Sequence, residues 1–297
     1  MPDSGFAPVS YERWAAAVAA DLGPDALDRR LRTVTEDGIV LDALHTPGTA
    51  GPGAGVGHAM AALLAEARRA RGRQGWLVRQ RLDASTLTLA DLRDEIAGGA
   101  DSVALDVARV EPLGVAARVG ALAGPTWKAG AELALAGIHD AESLLGILSL
   151  SPDAGALSLG FDPLGTWARR GAPGAPAQSM SGLAGLRPWL DAPAPVSVLR
   201  ASGEPWHDAG ATAAWTLACI VATALEYVRR LDALGTDAAL ALRGIELVLP
   251  LGTDVFEGIS SVRALRLVWS RILEEIGVGA SRPPRVVVAF GSRGLAR

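Results

Sequence analysis

From Gly75 onward, short apolar, β-branched runs alternate with helix-like stretches, and this rhythm restricts the fold more than any other feature. The runs are Trp76–Leu82, Ser102–Val107, Ala129–Leu135, Ala156–Phe161, Val196–Ser202, Ile245–Leu251 and Arg285–Phe290. Helical candidates lie between them at Thr88–Ala97, Glu111–Ala123, Ala141–Leu148, Gly182–Asp191, Thr212–Leu234 and Gly258–Ile276. Strand alternating with helix gives right-handed βαβ units and a parallel sheet. Parallel strands covered on both faces read as near-continuous apolar runs, as these do.

A closed (β/α)8 barrel needs eight strands, and about seven are counted here. The expected fold class is α/β: a parallel (β/α)8-type, TIM-like barrel over residues 75–297. In one arrangement it lacks its last strand; in another the earlier Glu36–Thr46 segment fills the gap; a third is an open doubly wound sheet. An open barrel leaves two edges unpaired. Residues 1–74 read as an N-terminal helical extension. It comprises a helix from Tyr11 to about Leu31, with Trp14, Val18 and Leu22 on one face, a strand over Glu36–Thr46, a Gly/Pro-rich loop at Pro47–Gly57 and a helix at His58–Arg73.

The length of 297 residues, 49% of them hydrophobic, suits one barrel-sized domain. Net charge is -4, and Lys128 is the only lysine among 28 scattered basic residues. Without a basic stripe, no nucleic-acid partner is expected. No apolar run suits a bilayer span, and Met1–Trp14 lacks the order of a signal peptide, so a soluble cytoplasmic protein with no membrane partner is expected. The single cysteine, Cys219, can form neither an intramolecular disulfide nor a cysteine metal cluster. Inside WTLACIVATAL it reads as a buried structural thiol. His58 and His139 are lone histidines, metal-ligand spacings such as His-x-x-x-His are absent, and no metal site is expected.

Several stretches, in order from about residue 11 to 290, resemble the methylmalonyl-CoA mutase family. Near the N-terminus, YERWAAAVAADLG with TVTEDGIVLDALHTP is similar to a Trp-bearing helix leading to T-x-E-G-I-x-V-x-P-L-Y-T. GWLVRQRLD and LSLGFDPLGTWARRG resemble small-subunit forms of the family. Most specific is WHDAGATAAWTLACIVATALEYVRRL followed by DVFEGISSVRALRLVW, which shares His207, Gly210, Glu226, Tyr227, Phe256, Arg263, Arg266 and Trp269 with the family pattern. The resemblance implies an isomerase family that interconverts methylmalonyl-CoA and succinyl-CoA with adenosylcobalamin. It implies a heterodimer in which a large (alpha) subunit holds acyl-CoA and coenzyme while a small (beta) subunit supports it.

The departures point to the small-subunit side. The catalytic large subunit carries a histidine four residues before its A-G-A, and that place is Pro205 here; His207 stands two residues later, as in small subunits. A lysine of the family pattern is Ser261. The cobalamin domain, with its Asp-x-His-x-x-Gly mark, has no counterpart, and Asp42-Ala43-Leu44-His45-Thr46-Pro47-Gly48 imitates the mark with one residue too many. The expectation is therefore a non-catalytic small subunit that binds no coenzyme itself. An active mutase half with a separately encoded cobalamin-binding domain, and a truncated non-functional remnant, are the other readings.

Independently of the family, His207 and Asp208 follow a strand end, where a barrel places its active site, and a His beside a carboxylate can act as a base. The structural alternative, adopted here, is that Asp208 caps the next helix. Asp254 likewise reads as a cap. Arg263 and Arg266 share a helix face and either pair with Glu226 or Asp232 or meet a partner subunit. Gly291–Gly294 could cradle a phosphate, but no helix follows to supply a dipole. Trp127, Trp167, Trp189 and Trp206 read as core residues or interface anchors, and Trp206, Arg263 and Arg266 form the candidate partner interface.

Overall fold

The computed structural model describes residues 9–46, 76–138, 141–148, 157–171, 176–192, 196–278 and 285–294. The chain divides into two compact units, Met1–Ala59 and Met60–Arg297.

In the first unit, helix α1 (Tyr11–Leu22) starts at Ser10, whose hydroxyl accepts the Arg13 N–H, and ends at Gly23 with φ 100°. Pro24 follows, and a proline there cannot continue the helix, so the helix expected to reach Leu31 stops early. One π-helical turn, Leu27–Leu31, comes next. The strand expected over Glu36–Thr46 is instead a small hairpin, β1 (Thr33–Val34) antiparallel to β2 (Val40–Leu41), with Gly38 in the turn at φ 77°. This hairpin is a sheet of its own and supplies no eighth strand. Arg32 pairs with Asp28 and, at 2.7 Å, with Asp42. The loop at Pro47–Gly57 and the helix expected at His58–Arg73 lie outside the described residues.

Among its described residues the second unit carries seven strands: β3 (Arg79–Asp83), β4 (Ser102–Asp106), β5 (Glu132–Ala136), β6 (Leu157–Phe161), β7 (Val196–Ser202), β8 (Ile245–Leu251) and β9 (Arg285–Phe290). All are parallel, and each pairs with the next in sequence order. A doubly wound sheet reverses its strand order at a switch point; this sheet does not, which excludes that arrangement. The sheet is also rolled. Five strand spacings would set β3 and β8 about 24 Å apart in a flat sheet, yet the Arg79 side chain on β3 reaches Glu246 on β8 at 3.1 Å. The fold is thus an incomplete (β/α)8 barrel whose sheet edges are β3 and β9.

Helices cover the outside: α2 (Leu89–Ala97), α3 (Val115–Lys128), α4 (Ala141–Leu148), α5 (Pro163–Arg170), α6 (Arg187–Leu190), α7 (Glu204–Asp208), α8 (Ala213–Ala233), α9 (Ala238–Arg243) and α10 (Val255–Ile276). The start of α2 is a capping box, Thr88 and Asp91 each accepting the other's backbone N–H. The core lies between sheet and helices, where Val103, Leu105, Leu133, Leu135, Leu159, Val198 and Leu247 meet Leu122, Ile147, Ile220, Leu265 and Trp269. Among the described residues no helix is long and apolar enough to cross a membrane.

Candidate functional site

Because side chains alternate along a strand, every second residue faces the inside of the rolled sheet. There the expected packing of branched apolar side chains is replaced by charge. Glu246 is fully buried, and its carboxylate accepts from Arg200 at 2.7 and 3.0 Å, from Arg79 at 3.1 Å and from the Ser158 hydroxyl at 3.1 Å. Arg285 lies 3.4 Å from the same carboxylate and also pairs with Glu132, which Arg79 approaches at 3.5 Å. Burial pushes the Glu246 carboxyl up, but Arg200, Arg79 and Arg285 outweigh it and hold the group at about 2. This belt joins strands β3, β5, β7, β8 and β9. Its charges stood in plain sight inside apolar runs, Arg200 in VSVLRAS and Glu246 in IELVLPL, and a charge inside a doubly covered strand was the signal that could have found them.

A second buried cluster sits where β6 ends. Asp162 caps α5 by accepting the Gly165 N–H at 2.9 Å; it also accepts the Tyr227 hydroxyl at 2.6 Å and the Ser202 N–H at 3.3 Å. Burial raises its carboxyl above the usual range, against the lowering pull of those hydrogen bonds and of Arg200. Gly165 leaves room for the cap, since a Cβ there would lie 2.1 Å from the Asp162 carboxylate. Gly160, at φ 62°, lets the Leu135 carbonyl approach to 2.2 Å of where its Cβ would stand. The GFDPLG and EYVRR stretches therefore meet in one buried hydrogen bond, and here they shape the barrel.

Three further carboxylates at the C-terminal rim are engaged. Asp83 accepts from Ser85 and from Arg109 at 3.0 Å, Asp106 binds Arg81 at 2.7 Å, and Glu204 pairs with Arg169 at 3.3 Å. Hydrogen bonds from Ser85 lower the Asp83 carboxyl, making it a poorer base. Pro205 is buried in the first turn of α7. In the same short helix His207 is half-buried, its Nε2 enclosed without a hydrogen-bond partner among the described residues and pressed against Gly291. Asp208 is exposed and does not bond to His207. Nor does it cap the following helix, contrary to the expectation. It ends α7, and Thr212 caps α8 by accepting the Trp215 N–H. Asp254 does cap α10, through the Phe256 and Glu257 N–H groups.

Trp206 is half-buried with its indole N–H unpartnered among the described residues. Arg263 is exposed and forms no ion pair among them, while Arg266 is half-buried. Of the two expected intrachain partners, Glu226 and Asp232, Glu226 is held by Arg229 and Arg230 of its own helix, each at 2.7 Å. Gly291 donates its N–H to Leu251 at 2.9 Å, so that group is not free for an anion. Cys219 is half-buried rather than buried, and its partial burial raises the thiol. Trp189 lies in the core; the exposed tryptophans are Trp76 and Trp215. His58 and His139 lie outside the described residues. Among the described residues no group of three or more His, Cys, Asp or Glu could hold a metal ion.

Fold and site define a β/α-barrel protein whose inner face carries a buried ion-pair belt and whose rim residues Asp83, Asp106 and Glu204 are already engaged. A family model described as methylmalonyl-CoA mutase matches residues 154–289. The chain is 30% identical over 312 aligned positions to the methylmalonyl-CoA mutase small subunit of Streptomyces virginiae, covering 96% of this chain and 49% of that one. Probable methylmalonyl-CoA mutase small subunits of Mycobacterium bovis and Mycobacterium tuberculosis are 34% identical over 132 residues, 42% of this chain and 20% of theirs. The chain thus spans half or less of the length of these relatives. By sequence it is similar to the methylmalonyl-CoA mutase family and to its small subunits.

Proposed function

We propose that this chain is a non-catalytic small (beta) subunit that supports an adenosylcobalamin-dependent acyl-CoA isomerase acting between methylmalonyl-CoA and succinyl-CoA. In this reading a large (alpha) subunit holds the acyl-CoA and the coenzyme, residues 75–297 form the barrel body, residues 1–74 extend from it, and the complex is cytoplasmic. The observation that carries the reading is Pro205. It occupies the position at which the large-subunit pattern has a histidine, and its tertiary ring nitrogen can neither take up nor donate a proton. His207 stands two residues later in the pattern, and its Nε2 is enclosed against Gly291 with no hydrogen-bond partner among the described residues.

The residues present do not fit a corrin. The segment that imitates the cobalt-ligating motif has one residue too many, and its Asp42 is already paired with Arg32. The histidine of such a motif needs a carboxylate free to orient it. We therefore assign the coenzyme to the partner subunit.

Calorimetric titration of the pure chain with adenosylcobalamin and with methylmalonyl-CoA tests the reading. No binding at micromolar concentration of either is expected. Turnover of the acyl-CoA by the chain with coenzyme alone would overturn it. Activity that appears only with a separate cobalamin-binding protein would identify a catalytic half instead.

A further inference from the structure

Buried polar atoms in folded proteins are hydrogen-bonded with few exceptions. Among the described residues three enclosed side-chain atoms are not: the Trp206 indole Nε1, the His207 Nε2 and the Thr216 hydroxyl oxygen. All three gather at one short element. Trp206 and His207 lie in α7, and Thr216 packs at its start, its methyl 2.8 Å from where a Cβ on Gly203 would stand. Thr216 is only 2% exposed. None of the three atoms has surface open to a water molecule in this position, and a bound water needs room for itself beside two or more polar partners. A partner docking from outside does not reach enclosed atoms either. The position of α7 described above therefore strips an indole N–H and a hydroxyl of water and gives them nothing in return, which is unfavourable.

The chain on either side of α7 favours its movement as a unit. Gly203, just before it, is clamped: its N–H donates to the Val248 carbonyl at 2.9 Å, and a Cβ there would also meet Ile220 and Pro250 at 2.8 Å. Just beyond α7, Gly210 has φ 99° and open space where a Cβ would stand, so the backbone turns there without obstruction. From Thr212 the chain is fixed again as the cap of α8. The ties between α7 and the barrel are modest. Pro205 is buried, the Trp206 ring is half-buried, and His207 lies against Gly291. Glu204 accepts the Ser202 hydroxyl at 3.0 Å and pairs with Arg169 at 3.3 Å. The Glu204 and Arg169 side chains are 23% and 42% exposed, and an ion pair that open to water contributes little.

We propose that α7 is a hinged flap over the carboxyl end of β7. It exchanges between the closed position and an open one, tilted away from the barrel about its glycine ends, in which the Trp206, His207 and Thr216 polar atoms regain water. Opening returns three hydrogen-bonding groups to solvent and gives up one proline seat, part of one indole contact and one exposed ion pair, so the two positions lie close in free energy. The event is local: β7, β8 and α8 keep their pairing and packing. The open flap uncovers Ser202, which is 1% exposed in the closed position. The flap is made of this chain's own residues and stands or falls independently of the small-subunit reading.

Hydrogen exchange of the Trp206 indole N–H in the full chain, followed by NMR and assigned by its loss in Trp206→Phe, tests the flap. Local opening exposes little surface, so this exchange is expected to be independent of urea below the unfolding transition. Corrected for intrinsic rates, it is expected to be about a hundredfold or more faster than exchange of the Leu247 amide in the core of β8. Exchange that follows the urea dependence of the Leu247 amide would mean that Trp206 opens only when the whole barrel unfolds, and would overturn the proposal. Thr216→Val keeps the side-chain shape and removes one orphan hydroxyl, so it is expected to hold the flap closed. Trp206 exchange then slows about fivefold or more, and the urea midpoint rises. Unchanged or faster Trp206 exchange in Thr216→Val, or a lowered midpoint, would show that the hydroxyl is not an orphan and would equally overturn the proposal.

Discussion

Arg79 and Glu246 stand 167 residues apart in sequence and form a 3.1 Å hydrogen bond across the inside of the rolled sheet. Arg79 lies on the edge strand β3, and Arg285 on the opposite edge strand β9 reaches the same carboxylate. Backbone pairing does not join the two edges, but these side chains bring both to one anion.

Removing that anion deprives Arg79, Arg200 and Arg285 of their shared partner. Glu246→Ala leaves three arginines facing one another, and breaking a buried pair from one side costs about 3–5 kcal/mol. Urea unfolding at pH 7 reads the loss. Acid tests the same group. Its folded value of about 2 lies below its unfolded value, so its contribution is full above pH of about 4.5. That contribution is lost as pH falls towards 2. By linkage it amounts to roughly 3 kcal/mol. Glu246→Gln is expected to flatten this part of the stability–pH curve. A variant as acid-sensitive as wild type would remove the group from the account.

The Asp162–Tyr227 hydrogen bond carries the opposite sign. Asp162 is raised in the folded protein, so it favours the fold most below the ordinary aspartate range and costs stability as pH rises through its shifted value. Tyr227→Phe removes a donor that pulls Asp162 down and leaves a buried carboxylate short of one partner. A loss of about 1–3 kcal/mol is expected, larger at pH 7 than at pH 4. Asp162→Asn keeps an acceptor and removes the charge, so it is expected to cost less than Asp162→Ala and to abolish the difference between the two pH values. Chemical denaturation of the three variants at both pH values measures this.

The cap of α8 is a sharper test of local structure. Thr212→Ala is expected to destabilise by about 1 kcal/mol, whereas Asp208→Ala, on an exposed residue that caps nothing, is expected to stay within about 0.5 kcal/mol. A reversal of that order in thermal unfolding would return the cap to Asp208.

These cases show where sequence was sufficient. The runs Val196–Ser202, Ile245–Leu251 and Arg285–Phe290 match β7, β8 and β9 to the residue, because parallel strands announce themselves as apolar blocks between turn residues. The Thr212–Leu234 helix was legible through its 3.6-residue periodicity, and Ala141–Leu148 as the stretch between two strand-like runs. Pro163–Arg170, Glu204–Asp208 and Ala238–Arg243 were not, since one or two turns give no periodicity to read. The Glu36–Thr46 run was misjudged because its apolar residues outweighed the Asp37-Gly38 turn signal. Neither the ion-pair belt nor the Asp162–Tyr227 bond was foreseen, because each depends on which strands face one another once the sheet rolls. Pro205 and His207 were visible in sequence, but the enclosure of His207 depends on Gly291, which is distant in sequence.

That enclosure supplies the last prediction. A Cβ on Gly291 would stand 2.4 Å from the His207 Nε2, well inside contact distance, so Gly291→Ala must displace the imidazole or the end of β9. Overpacking of this kind costs about 1–3 kcal/mol. If the clash is the whole cause, His207→Ala relieves it. The double variant His207→Ala/Gly291→Ala is then expected to be more stable than the sum of the two single effects predicts, with a coupling of about 1 kcal/mol or more. Strict additivity in urea unfolding would mean that the two residues do not touch. On the small-subunit reading proposed above, the same His207→Ala change in the assembled mutase is expected to leave kcat within twofold, because in that reading the imidazole only fills space against Gly291. A drop of a hundredfold or more, the scale on which a general base contributes, would return His207 to the chemistry.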